Sequence, residues 1–314
     1  MIISASRRTD IPAWYSQWFM NRIREGWCAV PNPMNMNQVK SVSLNPRSVE
    51  AIVFWSKNPK PMMNHLDELK NMGYHYYFQF TLNDYPPEFE PNVPNLEDRI
   101  NTFKELSRKI GWMSVVWRYD PIIISNMTDY AFHLDKFSTL AEELHGVTKR
   151  VVVSIIDYYQ KTDRRLSKLE DEGFNFEREA DQSKKMEDFL KQIAGIATRH
   201  DMEIYSCAEE CDYSFVGVPP GSCIDQALIN NLWGFNIPYE KDKYQRKACM
   251  CHKSTDIGIN DTCIHGCRYC YSTRSLEMAE RRHNEHDPNS PVLWWPPNKP
   301  LAIGKENKAQ QRLL

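Results

Sequence analysis

The sequence lacks any apolar run close to the roughly 20 residues needed to cross a bilayer. It also lacks an excess of either charge, since 39 basic and 41 acidic residues leave a net charge of −2 over 314 residues. No strong basic field advertises indiscriminate binding to nucleic acid, although a local basic patch stays open. Nor does the opening MIISASRRTD read as a secretory leader, because its apolar residues precede its charges. The expectation is a cytoplasmic protein with no membrane partner.

Cysteine is what the chain has in quantity. Of its nine, all but Cys28 lie between Cys207 and Cys270. An odd number crowded into one region is not the pattern of a secreted disulfide framework, and in a reducing compartment it points to metal ligation. Cys28, beside Trp27 and Ala29, reads as a small buried hydrophobe. Cys263, Cys267 and Cys270 are spaced C-x3-C-x2-C, with Gly266 free to turn tightly between them. Thiolate is the soft ligand that selects iron–sulfur centres, zinc or copper(I). Spacing alone leaves open an iron–sulfur cluster with one iron lacking a protein ligand, or a zinc knuckle completed by His265, His252, Cys249 or Cys251. Cys207-x3-Cys211 and Cys249-x-Cys251 are candidates for a second iron–sulfur cluster or a zinc site, with Cys223 the weakest candidate among the remaining thiols.

Short apolar runs at 2–6, 51–55, 75–81, 113–118, 150–156 and 202–206 predict strands. Longer polar–apolar segments at 15–26, 62–72, 96–111, 129–144 and 163–199 suit helices between them. The unbroken Val151-Val152-Val153 suits a parallel sheet covered on both faces. Six strand-then-helix units make an α/β architecture of repeated β/α type. Each strand runs into a polar cluster: Arg7 and Arg8, Lys57 and Asn58, Gln79, Arg118 and Asp120, Asp157, and Glu209. In β/α barrels the loops after the strands carry ligands and catalytic groups. Arg118, Asp120 and Asp157 are therefore candidate catalytic residues, and Arg7, Arg8, Lys57, Asn58, Gln79 and Glu209 candidate cofactor-binding ones. A rim of both signs suits a zwitterion better than a phosphodiester backbone.

The cysteine triplet, with aromatic Tyr269 before its last member, resembles the cluster motif of radical S-adenosylmethionine enzymes. From MIISASRRTDIP through VFWSKNPKPM to DTCIHGCRYCY, the chain also resembles a bacterial family designated domain of unknown function 1848. The first resemblance implies a [4Fe-4S] cluster on Cys263, Cys267 and Cys270, shielded by Tyr269. It further implies bound S-adenosylmethionine, hydrogen abstraction from a small-molecule substrate, and a reducing partner such as ferredoxin or flavodoxin. The implied fold is a TIM-barrel-related partial (β/α)6 barrel in permuted order, because the cysteine loop follows all six units. A short strand near 255–259 beside the first strand would bring that loop to the mouth. No Gly-Gly-Glu segment of the superfamily is found. Expected boundaries are a barrel at 1–216, a cysteine-rich segment at 217–275 and a packing tail at 276–314. Two other readings stay beside this one. One is a zinc- or iron–sulfur-stabilised β/α protein that binds a small molecule or nucleic acid without radical catalysis; the other is a non-catalytic scaffold.

Overall fold

The computed structural model describes residues 1–179 and 183–304. Ten strands are present among them: β1 Ile2–Ala5, β2 Trp27–Asn32, β3 Asn35–Ser43, β4 Ala51–Ser56, β5 Tyr76–Thr81, β6 Val115–Ile122, β7 Arg150–Ile155, β8 Glu203–Cys207, β9 Pro220–Gly221 and β10 Thr255–Asp256. Eight of them form one curled, open sheet in the order β10-β1-β4-β5-β6-β7-β8-β9, and each neighbouring pair is parallel. The six predicted runs are its central strands. The flanking strands β9 and β10 are two residues each, too short to carry a hydrophobic pattern of their own.

Side-chain alternation explains how this sheet organises two cores. Ile3, Ile52, Phe54, Phe78, Trp117 and Val153 point outward into the main core. Their neighbours Ile2, Val53, Tyr77, Val116 and Val152 point inward and form a separate cluster. The outward core is covered by helices. In Lys184–Arg199, Met186, Phe189, Leu190, Ile193 and Ala197 recur at helical spacing and are buried. Asn95, Asp129 and Ser183 cap helices by accepting from Asp98, Phe132 and Met186 amides.

The interior is plugged by the chain between Cys223 and Cys251. Ile224, Leu228, Ile229, Cys249 and Cys251 pack onto the inward strand residues. The described residues of the region predicted at 163–199 carry the helices Gln160–Glu170 and Lys184–Arg199. An antiparallel pair, β2 with β3, was not among the predicted strands. Its polar β3 and the proline in β2 hide the usual pattern, and its order comes from the C-terminal tail, where Ala29 N donates to Pro291 O at 2.8 Å. Trp294 in that tail is buried in the main core.

Beside β1, β10 brings the last part of the chain back to the first. Gly258 permits the closest approach there: a Cβ on it would fall 2.0 Å from Ser6 Oγ. Asp256 completes the seam by accepting from Ser4 Oγ, Ser6 Oγ and the Arg7 amide at 2.9, 2.7 and 2.9 Å.

Candidate ligand-binding site

On the inner face, the strands change character toward their C-terminal ends. The inward positions after Ile2, Val53, Tyr77, Val116 and Val152 are Ser4, Trp55, Gln79, Arg118 and Ser154. Above them opens a cavity of about 360 Å³, whose walls include Arg7, Arg8, Lys57, Arg118, Asp120 and Asp157. That volume lies within the usual range for small-molecule sites.

Most of its charges are held in pairs. Arg118 Nε donates to Asp120 Oδ2 at 3.0 Å and Nη1 to Cys223 Sγ at 2.6 Å. Burial opposes the Arg118 charge, but Asp120, Cys223 and Cys207 outweigh it and hold its pKa well above the ordinary value. The guanidinium carbons of Arg118 and Arg7 lie 5.2 and 5.8 Å from the Trp55 ring centroid. Arg246 pairs with Asp157. Burial nonetheless pushes the Asp157 carboxyl above its ordinary value.

Lys57 Nζ donates to Glu90 Oε1 at 2.8 Å, and the Tyr269 hydroxyl donates to the same oxygen. Arg99 lies 3.9 Å away on the other side. Burial raises the Glu90 carboxyl, yet Lys57 and Arg99 prevail and its pKa is lowered. Asp10 accepts four hydrogen bonds. It takes the amides of Ala13 and Lys57, the Ser56 hydroxyl and His265 Nε2, all within 2.9 Å.

The predicted site residues do not all arrive in one place. Arg7, Arg8, Lys57, Arg118, Asp120, Asp157 and Tyr269 face the cavity, as do Cys207, Cys249, Cys251, Cys263, Cys267 and Cys270. Asn58, Gln79, Glu209 and Cys211 are outside its lining. Gln79 donates to Cys223 O at 2.8 Å. Glu209 accepts from the Ile155 amide and Ser154 Oγ, both at 3.0 Å. Cys211 packs against the main core. Trp55, Glu90 and Arg246 escaped the sequence reading. Trp55 was findable, because it occupies the inward register between Val53 and Lys57; Glu90 lies in a proline-flanked loop without periodicity.

The metal expectation is corrected by this arrangement. Among the described residues no group of three or more His, Cys, Asp or Glu is placed to hold a metal ion. The thiols are divided among separate clusters: Cys28 and Cys211 with the main core, Cys207, Cys223, Cys249 and Cys251 with the barrel plug, and Cys267 against Phe89 and Tyr269. Burial pushes Cys263 up to about 12 and Cys267 well above its ordinary value. The histidines offered as fourth ligands are engaged elsewhere. His265 Nε2 donates to Asp10 Oδ2 at 2.8 Å, and His252 Nδ1 accepts from the Glu240 amide at 3.1 Å. The [4Fe-4S] cluster, the second iron–sulfur or zinc site and the S-adenosylmethionine radical reaction are therefore not supported, and the reducing partner was expected only for that cluster.

A family model described as a domain of unknown function, DUF1848, matches residues 2–272. The chain belongs to the DUF1848 family. No curated protein matches it. The DUF1848 match spans the sheet, the interior plug and the cysteine-bearing loop, so every cavity residue named above lies within it. No helix among the described residues is long and apolar enough to cross a membrane.

Proposed function

We propose that this DUF1848 protein binds a small anionic molecule at the mouth of its open barrel, without radical catalysis. One observation carries the reading. Five cations, Arg7, Arg8, Lys57, Arg118 and Arg246, line the cavity against three carboxylates, Asp10, Asp120 and Asp157, while Asp242, Asp256 and Glu90, the partners of Arg7, Arg8 and Lys57, stand behind the wall. Such a concave, partly apolar wall focuses its field on a small ligand. Arg8 is the cation best placed to engage it. Its guanidinium is held loosely, 3.3 Å from Gly258 O and 4.0 Å from Asp256. Arg118 with Asp120, and Asp157 with Arg246, orient the ligand, and Trp55 offers it an aromatic floor. In this reading residues 1–216 form the barrel, 217–275 complete its mouth, and the remainder packs against it.

The test is thermal shift and calorimetry with inorganic phosphate, citrate, glutamate and adenosine monophosphate, beside a short single-stranded oligonucleotide. At 100 times Kd a ligand stabilises the fold by about 2.7 kcal/mol. A saturable shift from one of the small anions, weakened about tenfold (about 1.4 kcal/mol) in Arg8→Gln, supports the reading. Failure of every small anion to bind overturns it. So does oligonucleotide binding with a steep salt dependence.

A further inference from the structure

Cys207 and Cys223 are joined by strand pairing that residue spacing does not reveal. In the parallel β8–β9 ladder, Cys207 stands opposite Gly221, two residues before Cys223. Gly221 permits that closure, since a Cβ there would lie 2.6 Å from Tyr205 Cβ. The Cys223 backbone is then pinned, its carbonyl accepting from Tyr77 OH at 2.6 Å and Gln79 Nε2 at 2.8 Å. The two sulfurs stand 2.9 Å apart and both line the cavity. Arg118 donates to the Cys223 sulfur, so the contacts run from guanidinium to Cys223 to Cys207.

We infer that Cys207 and Cys223 are a redox-active pair that closes to a disulfide when a hydroperoxide enters the cavity. The hydrogen bond shared with Cys223 lowers the Cys207 pKa against its burial, with Arg118 assisting. Cys207 is the less buried of the two sulfurs, so it meets the hydroperoxide first and is the attacking sulfur. Its thiolate bonds to the terminal oxygen of the hydroperoxide, the O–O bond breaks, and the alkoxide leaves and takes a proton from solvent. Cys223 sulfur then attacks the sulfenic sulfur; the S–O bond breaks, and hydroxide departs with the Cys223 proton as water. Two thiols lose two electrons, and the hydroperoxide becomes alcohol and water. Cys251 also approaches the Cys223 sulfur, with Cys249 beyond it, so the peptide map must separate a Cys207–Cys223 disulfide from a Cys223–Cys251 one.

The pair needs no bound anion and stands independently of the ligand-binding reading. The test exposes the reduced, full-length protein, in chelator, to a slight excess of hydrogen peroxide. Free thiols are then counted, and non-reducing digests are mapped by mass spectrometry. Two thiols should disappear, with the Cys207 and Cys223 peptides joined. In Cys223→Ser, dimedone should label Cys207 as its sulfenic acid, with circular dichroism confirming the fold. The wild-type map decides the matter even if the variant does not fold. A linkage between any other pair, or no linkage at all, overturns the inference.

Discussion

His265 Nε2 stands 2.8 Å from Asp10 Oδ2, a buried contact between residues 255 positions apart. It ties the cysteine-bearing loop to the exit of β1. Because the same carboxylate accepts from Ser56 and Lys57 at the end of β4, one side chain organises three segments of the mouth.

Asp10→Ala should therefore be among the most damaging single changes. It removes the acceptor for two backbone amides, a hydroxyl and a histidine, and should cost about 3 kcal/mol or more in chemical unfolding. His265→Ala should cost less, about 1–2 kcal/mol. Its effect should concentrate in the loop, read as faster hydrogen exchange across 259–274 with little change in β5 and β7.

Glu90 governs the opposite wall through Lys57 and Tyr269. Its lowered pKa means that the charged form contributes stability above the ordinary carboxylate range, which is lost as pH falls through the folded value. Glu90→Gln should destabilise by about 3 kcal/mol at pH 7, because buried Lys57 and Arg99 lose their counter-charge. The gap from wild type should narrow toward pH 4 in parallel urea titrations.

Glu209 predicts the reverse slope. Burial raises its carboxyl to about 8, against the amide of Ile155 and the Ser154 hydroxyl, which favour the charged form. A carboxyl raised in the folded state contributes stability that is full below its unfolded pKa and is lost as pH rises toward about 8. Glu209→Gln keeps the acceptor oxygen and carries no charge. It should be near neutral at pH 4 and stabilising by about 1–3 kcal/mol at pH 9, since each pKa unit is worth about 1.4 kcal/mol. Equal melting-temperature changes at both pH values would contradict this.

Gly258→Ala should strain the seam between the two ends of the sheet. The new Cβ meets Ser6 Oγ and Cβ at 2.0 and 2.6 Å, and Ser6 is already bonded to Asp256. A loss of about 1–3 kcal/mol is expected from such overpacking. Gly73→Ala, with open space around its Cβ but a φ of +85°, serves as a control for backbone strain without a clash.

The central strands were legible because their information is local. Val151-Val152-Val153 and Ala51-Ile52-Val53-Phe54 are apolar at every position, as a strand between two cores must be, and the polar residues that follow them mark the strand exits. Arg7, Lys57, Arg118 and Asp157 could thus be assigned to one rim before any contact was known. The cysteine spacing was equally visible, but it misled: spacing along a chain does not set the direction or surroundings of a sulfur, and among the described residues no group of ligands is placed to hold a metal ion.

By itself, then, the sequence determined a repeated β/α chain, its strand exits and the residue types gathered there, since periods of two and 3.6 depend only on near neighbours. Tertiary structure alone decided which residues meet. Asp10 with His265 and Cys207 with Cys223 are brought together by β10 and β9, the two edge strands of the open sheet, and Lys57 with Glu90 by the loop after β5. The two-residue strands and irregular loops that make those joins carry no periodicity, because their conformation is set by the partners they reach rather than by their own composition.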